Sequence, residues 1–281
     1  MIPQNFEYSS PDSLQEALSL LADGSAKALG GGMSLIPMMK LRLAAPEHLV
    51  DLRRIPGLSG IAEDGAAIRI GAMTTHYQVE SSALLRFQCP LLAETASHIG
   101  DVQVRNVGTL GGSVAHADPA ADYPAALIAL EAQVQLIGTG GTRTLGIEAF
   151  LVDTMTTAIE PGELVQSVIV PVEERGTGVN YQKMLQPASG FAIVGIAARI
   201  RESGGRITFA RIGVTGLAGK AYRARGVEDA LLAGSDVRSA AGLVAEGIDA
   251  NSDLFASAEY RCHLARVYTA RAIEQAIAGV S

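Results

Sequence analysis

Two short glycine runs carry the chemistry that can be read first from this chain. One is Gly30-Gly31-Gly32 with Met33 and Ser34 behind it; the other is Thr109-Leu110-Gly111-Gly112-Ser113, followed by His116, Asp118 and Asp122. A glycine loop after a strand lets backbone N–H groups converge on one concavity and hold phosphate without a charged side chain. A single glycine pair is more often only a tight turn. Two such loops, each with a hydroxyl residue attached and each beside an apolar strand, together suit a long ligand carrying a pyrophosphate. Familiar nucleotide motifs do not fit. A dinucleotide fingerprint begun at Gly30 needs its third glycine where Leu35 stands, and Pro37 falls early in the helix that should follow, although Asp51 is placed suitably for a ribose contact. A Walker loop fails because no Gly-Lys-Ser/Thr follows. Ile36 occupies the position where a nucleophile elbow around Ser34 needs glycine. Asp122 has two readings from position alone: an acceptor for ribose or adenine groups, or the N-cap of a helix beginning at Pro124.

The elements that must position these residues can be sketched from periodicity. Ser10-Pro11 followed by Leu14, Ala17, Leu18 and Leu21 predicts a capped helix, which Gly24 ends. Strand-like stretches follow at 26–29, feeding the first glycine run, and at 49–52 and 67–70, with a helical turn starting around Pro37. Residues 84–99 predict a helix broken by Pro90, and 124–130 another. Val134, Leu136 and the turn 138–141 predict a hairpin, and 164–170 a strand closed by Pro171. The charged, glycine-bearing stretch 173–178 has the composition of a linker that few contacts cross. Beyond it, Val194, Ile196, Ala198 and Ile200 alternate, turn at Ser203-Gly204-Gly205 and return through Ile207, Phe209, Ile212 and Val214. That is an antiparallel hairpin with a change of phase between Phe209 and Ile212 that predicts a bulge. Helices at 227–233, 239–246 and 258–277 complete an α+β second domain.

Composition excludes several classes. The chain has 281 residues, 31 of them glycine, and its 22 basic against 29 acidic residues give a net charge of −7, so no diffuse positive field exists to hold nucleic acid or anionic lipid. The longest clean apolar run, residues 191–198, is far short of the roughly 20 residues of a spanning helix. The start, MIPQNFEYSS, lacks the basic and apolar regions of a secretory signal, and a cytoplasmic setting is expected. Two separated cysteines, Cys89 and Cys262, exclude a disulfide framework, a zinc ribbon, and an iron–sulfur cluster carried by this chain alone. Five histidines show no metal-binding spacing. Cys89 reads as buried filler, His116 as a hydrogen-bonding loop residue, and Arg42, Arg53 and Arg54 as a solvated face. The helix 258–277 is core first and interface second.

At these same residues the chain resembles a known family. GGGMSLIPMMKLRL (30–43), LVDLRRIPGL (49–58), VRNVGTLGGSVAHADPAAD (104–122), YQKMLQPASGFAIVGIAARI (181–200) and EYRCHLARVYTARAI (259–273) are similar to the FAD-binding medium subunit of the molybdenum hydroxylases, over essentially the whole chain and in order. The resemblance is strongest to the aerobic carbon monoxide dehydrogenase type and its relatives acting on N-heterocycles, and more distant to xanthine dehydrogenase. It implies a two-part FAD-binding domain of the vanillyl-alcohol-oxidase (PCMH) type at 1–172, and a small domain of antiparallel sheet and helix bundle at 177–281.

The resemblance also implies site residues. The family's Ala-Gly-Gly-x-Ser motif falls on Gly30, Gly31, Gly32, Met33 and Ser34, with Leu29 leading in; Gly replaces the common Ala, and Met the common Gln or His. Thr-x-Gly-Gly-Ser falls on Thr109, Gly111, Gly112 and Ser113. The family's downstream aspartate matches Asp122, its lysine Lys183, and its contact to the flavin ring Ile99. FAD is expected to be non-covalent, which sets aside His116 as an attachment point. Molybdopterin and [2Fe–2S] clusters are expected only in partners, a large molybdopterin subunit and a small [2Fe–2S] subunit, in a dimer of heterotrimers. The implied role is electron relay from those clusters through FAD to an external acceptor. Two alternatives are a stand-alone FAD oxidoreductase on the same fold and a flavin-free scaffold. Gly111, Gly112 and Asp122 argue against the scaffold.

Overall fold

The computed structural model describes residues 2–22 and 24–280. Among them, sheets of three, five and four strands lie in sequence along the chain, with a two-stranded ribbon at Leu151–Asp153 and Thr156–Thr157. The first sheet is parallel, with His48–Asp51 between Glu7–Ser9 and Ala26–Leu29. Helix Leu14–Leu21 crosses between its strands and buries Ala17, Leu18 and Leu21. Its cap is Ser13, whose hydroxyl accepts from the Glu16 amide at 3.2 Å, rather than Ser10-Pro11. The cap oxygen must reach the third amide of the helix, and only residue 13 is so placed. Gly24, at φ 76°, follows the helix as expected.

The second sheet is antiparallel, ordered Ile61–Asp64, Ala67–Gly71, Leu164–Pro171, Gln133–Gly138 and Gly141–Gly146. Between its second and fourth strands the chain makes six helices, which include Ala83–Gln88 and Pro90–Ser97 on either side of the predicted break. The last of the six, Tyr123–Ala129, is buried along its whole length, because the third sheet covers it. That sheet runs Thr177–Leu185, Ala192–Ser203, Arg206–Thr215, Tyr222–Arg223. A Cβ on Gly213 would lie 1.9 Å from the Ala125 carbonyl oxygen, so only glycine lets strand and helix approach this closely.

Strand Ala192–Ser203 is covered on both faces. Val194, Ile196, Ala198 and Ile200 pack against helices that include Arg225–Leu232 and Ala258–Ala278, whereas Ala197 joins the core of the N-terminal half with Tyr181. The stretch 173–178 is therefore not contact-poor. Arg199 pairs with Glu173 at 2.8 Å, each side chain 7% exposed, and also donates to the Ala129 carbonyl at the C-terminus of the buried helix. The irregularity in the long hairpin lies between Ile207 and Phe209, opposite Arg201 and Glu202, one step earlier than predicted. Phe209 itself stays in register and faces away from the apolar core, lying under the guanidinium groups of Arg199, Arg201 and Arg211, 4.3–5.4 Å from the ring centre, and the extra residue lets Ile207 return to the core side.

Candidate flavin site

The first glycine run leaves the end of strand Ala26–Leu29, whose last residue is buried. Gly32 takes the left-handed conformation, φ 73°, and Met33 is exposed. The amides of Gly31, Gly32, Met33 and Ser34 donate to no described residue. Ser34 stands at the N-cap of helix Leu35–Lys40, but its hydroxyl makes no cap bond. Four adjacent amides and a hydroxyl are thus left unspent, with no carboxylate on the loop.

The second motif is a helix start rather than a loop. Thr109 caps helix Leu110–His116 by accepting from the Gly112 amide at 3.1 Å. The Leu110 and Gly111 amides donate to the carbonyls of Thr74 and Ala72, and that of Ser113 to the Thr109 carbonyl. Most N–H groups expected to hold phosphate here are therefore committed to the protein, and the Thr109 amide and Ser113 hydroxyl make no bond to a described residue. Gly111 is glycine for packing: its Cβ would lie 2.4 Å from that of Ala72. Gly112, by contrast, is exposed. Spacing along the sequence identified the motif, but could not show that the helix turns its own amides inward.

The two motifs meet. A Cβ on Gly31 would lie 2.1 Å from the Val107 carbonyl oxygen, and one on Gly30 would lie 3.2 Å from Thr109 Oγ1. The first run thus lies directly on the backbone that enters the second.

Asp122 and Lys183 meet at the junction of the domains, and Lys183 reaches the His98 carbonyl, next to Ile99. The helix-cap reading of Asp122 is not what its side chain does. It makes no cap bond to helix Tyr123–Ala129. Instead its Oδ1 accepts from the Tyr181 hydroxyl at 2.6 Å and its Oδ2 from Lys183 Nζ at 2.9 Å. Burial pushes the Asp122 carboxyl upward, against the pull of Lys183 and Tyr181. Lys183 also donates to the His98 carbonyl at 2.9 Å, and the half-buried Ile99 follows in chain and packs on the N-terminal core. Burial, with Lys183 and Arg105 beside it, lowers the His98 imidazole. Sequence reading missed Tyr181 and Arg105. Tyr181 alternates in phase with Lys183 on one strand, a signal that existed; nothing in the spacing marked Arg105.

The residues present suit an FAD. Unpartnered amides and hydroxyls at 31–34, with the Thr109 amide and Ser113 hydroxyl on the adjoining motif, are donors for pyrophosphate oxygens. A half-buried apolar residue and a fixed ammonium stand at the domain junction. Residues 4–173 match the family described as FAD binding domain in molybdopterin dehydrogenase, and residues 180–276 match the CO dehydrogenase flavoprotein C-terminal domain. Fold and site together define an FAD-binding oxidoreductase subunit.

The carbon monoxide dehydrogenase medium chain of Hydrogenophaga pseudoflava is 41% identical over 282 residues, 98% of each chain. A solved carbon monoxide dehydrogenase structure from that organism superposes with a TM-score of 0.97 at 42% identity over the whole of both chains. The quinoline 2-oxidoreductase of Pseudomonas putida 86 gives 0.94 at 32%, over 100% of this chain and 99% of that one. The chain belongs to the family of FAD-binding medium subunits of the molybdenum hydroxylases. Among the described residues no helix is long and apolar enough to cross a membrane.

Proposed function

We propose that this chain works in the cytoplasm as the flavin-bearing relay of a heteromeric molybdenum hydroxylase, assembled with a large molybdopterin subunit and a small [2Fe–2S] subunit as a dimer of heterotrimers. When bound, the flavin accepts electrons singly from a cluster and delivers one or two to an external acceptor. The complex is of the carbon monoxide dehydrogenase or N-heterocycle and xanthine type, with molybdopterin and clusters held by the partners. The division into domains follows 1–172 and 177–281.

The observation that carries this reading is the contact of the unspent amides at 31–34 with the backbone entering Thr109. We assign the pyrophosphate to Gly30, Gly31, Gly32, Met33 and Ser34 with Thr109 and Ser113 alongside. Leu29, Gly111 and Gly112 shape the floor, and Ile99, Asp122 and Lys183 flank the ring. Lys183 keeps one proton unspent after its bonds to Asp122 and His98. Asp122 and Tyr181 hold that ammonium in place.

Acid precipitation of the purified complex tests the assignment. FAD should appear in the supernatant, stoichiometric with this chain. FMN, or flavin retained on the pellet, would overturn it.

A further inference from the structure

Three consecutive carbonyls, those of His98, Ile99 and Gly100, are each held by a cationic side chain. Lys183 Nζ donates to the first at 2.9 Å, and Arg105 Nη1 donates to the second and third at 3.2 and 3.3 Å. They lie just past helix Pro90–Ser97, where the last carbonyls lack helical partners and the helix dipole favours positive charge. The turn is tightly confined. Gly100 takes φ 49°, and a Cβ there would meet that of Val104 at 2.9 Å. From the C-terminal domain, Gly190 approaches so closely that its own Cβ would lie 3.3 Å from Gly100 Cα.

Arg105 sits on helix Val102–Val107, which starts from its cap at Asp101 and ends at Gly108, immediately before Thr109. The guanidinium folds back over the entry to its own helix, and its Nε lies 2.9 Å from Glu80 Oε2, an ion pair without hydrogen-bond geometry. Its side chain is 19% exposed, and Nη2 donates to no described residue. One side chain therefore ties the turn bearing Ile99 to the helix that leads into the second glycine motif.

We propose that Arg105 is a positioning residue for the flavin: by holding the carbonyls of Ile99 and Gly100 it sets the turn against the ring while the ligand's phosphates are seated on the glycine motifs. This rests on the flavin reading above. Without Arg105 the carbonyls of Ile99 and Gly100 lose their cationic donor, and Ile99 is held against the phosphate end of the site only by the Lys183 tie, the Asp101 cap and the packing of Val104 and Gly190.

The test uses the co-expressed complex, stripped of flavin and titrated with FAD, with the visible circular dichroism of the bound flavin recorded at saturation. Arg105→Met should raise the FAD dissociation constant about tenfold, the loss expected for charge-assisted hydrogen bonds, and change the visible dichroism even when every site is filled. Arg105→Lys should recover part of both, since an ammonium can reach one carbonyl. Glu80→Gln leaves the carbonyl bonds in place and should keep the wild-type dichroism. Arg105→Met with wild-type affinity and dichroism overturns the proposal, as does a variant of lowered melting temperature whose saturated dichroism is unchanged. A wild-type complex that takes up no FAD overturns the flavin reading itself, and this inference with it.

Discussion

Asp122 and Lys183 form an ion pair across the domain junction, Oδ2 to Nζ 2.9 Å, with side chains 4% and 1% exposed. A pair sealed this far from water is costly to break and cheap to remove whole, because removing one partner strands a buried charge. Asp122→Asn should destabilise the protein by about 3 kcal/mol, and adding Lys183→Met should return a large part of that loss. Urea unfolding of the two single variants and the double variant measures the coupling. Strict additivity would mean that the ammonium and carboxylate do not depend on each other.

The glycines of the two motifs should separate by phenotype. Gly111→Ala drives a Cβ into Ala72 in the core and should cost about 1–3 kcal/mol, as overpacking does, with or without added FAD. Gly31→Ala meets the Val107 carbonyl and should pry the two motifs apart, lowering flavin content more than melting temperature. Equal thermal losses in the two variants would remove the distinction.

Ser34 offers a milder probe. Its hydroxyl makes no bond to a described residue, so Ser34→Ala should leave unfolding unchanged while weakening FAD binding by about 1 kcal/mol, one hydrogen bond's worth. Isothermal titration of the deflavinated complex reads this directly. Unaltered affinity would place the pyrophosphate elsewhere.

Much of this site was legible in the sequence because both motifs are local. Glycine at 30–32 and at 111–112, with attached hydroxyls, announces close backbone approach whatever the surroundings. What was not legible is long-range. The Gly111 amide is spent on the Ala72 carbonyl, a partner 39 residues away that no window along the chain can show. Asp122 looked like a helix cap because it precedes Tyr123-Pro124, yet its acceptors serve Tyr181 and Lys183, from another sheet. The linker misreading has the same origin. Glu173 and Arg199 are ordinary surface residues by type, and only the pairing of strands turns them into a buried bond. Strongly periodic elements came through, including the break at Pro90 and the hairpin turn near Gly204, but the short helices His76–Ser81, Val102–Val107 and Leu110–His116 and the strand Thr177–Leu185 were not read, and helix 239–246 is Val237–Ala241.

A half-buried carboxyl and a buried imidazole should give the stability curve opposing slopes. Burial raises the Glu94 carboxyl to about 7, where it accepts from Asn180 at 3.0 Å. Its folded state binds the proton more tightly than the unfolded chain, so this group's contribution falls as pH rises from about 4.5 to 7. Burial, aided by Arg105, lowers His76 to about 4. Its contribution is lost as pH falls from about 6.5 to 4, because the unfolded imidazole takes the proton first. Glu94→Gln should therefore be more stable than wild type at pH 8 and converge with it near pH 4. His76→Gln should flatten the acid limb instead. Denaturant midpoints across this range check both signs.

Removing the flavin separates relay from oxidation. If the partners hold the substrate centre and the clusters, a complex stripped of FAD by chaotropic salt should still reduce its clusters on adding substrate, seen by electron paramagnetic resonance, yet fail to reduce an external acceptor. Restoring FAD should restore acceptor reduction. FMN should not, because it lacks the adenylate half and the pyrophosphate that we assign to the amides at 31–34. Gly31→Ala should need more FAD than wild type for the same recovery. Acceptor reduction that persists undiminished without flavin would mean that electrons leave by another route, and the relay assignment would fall.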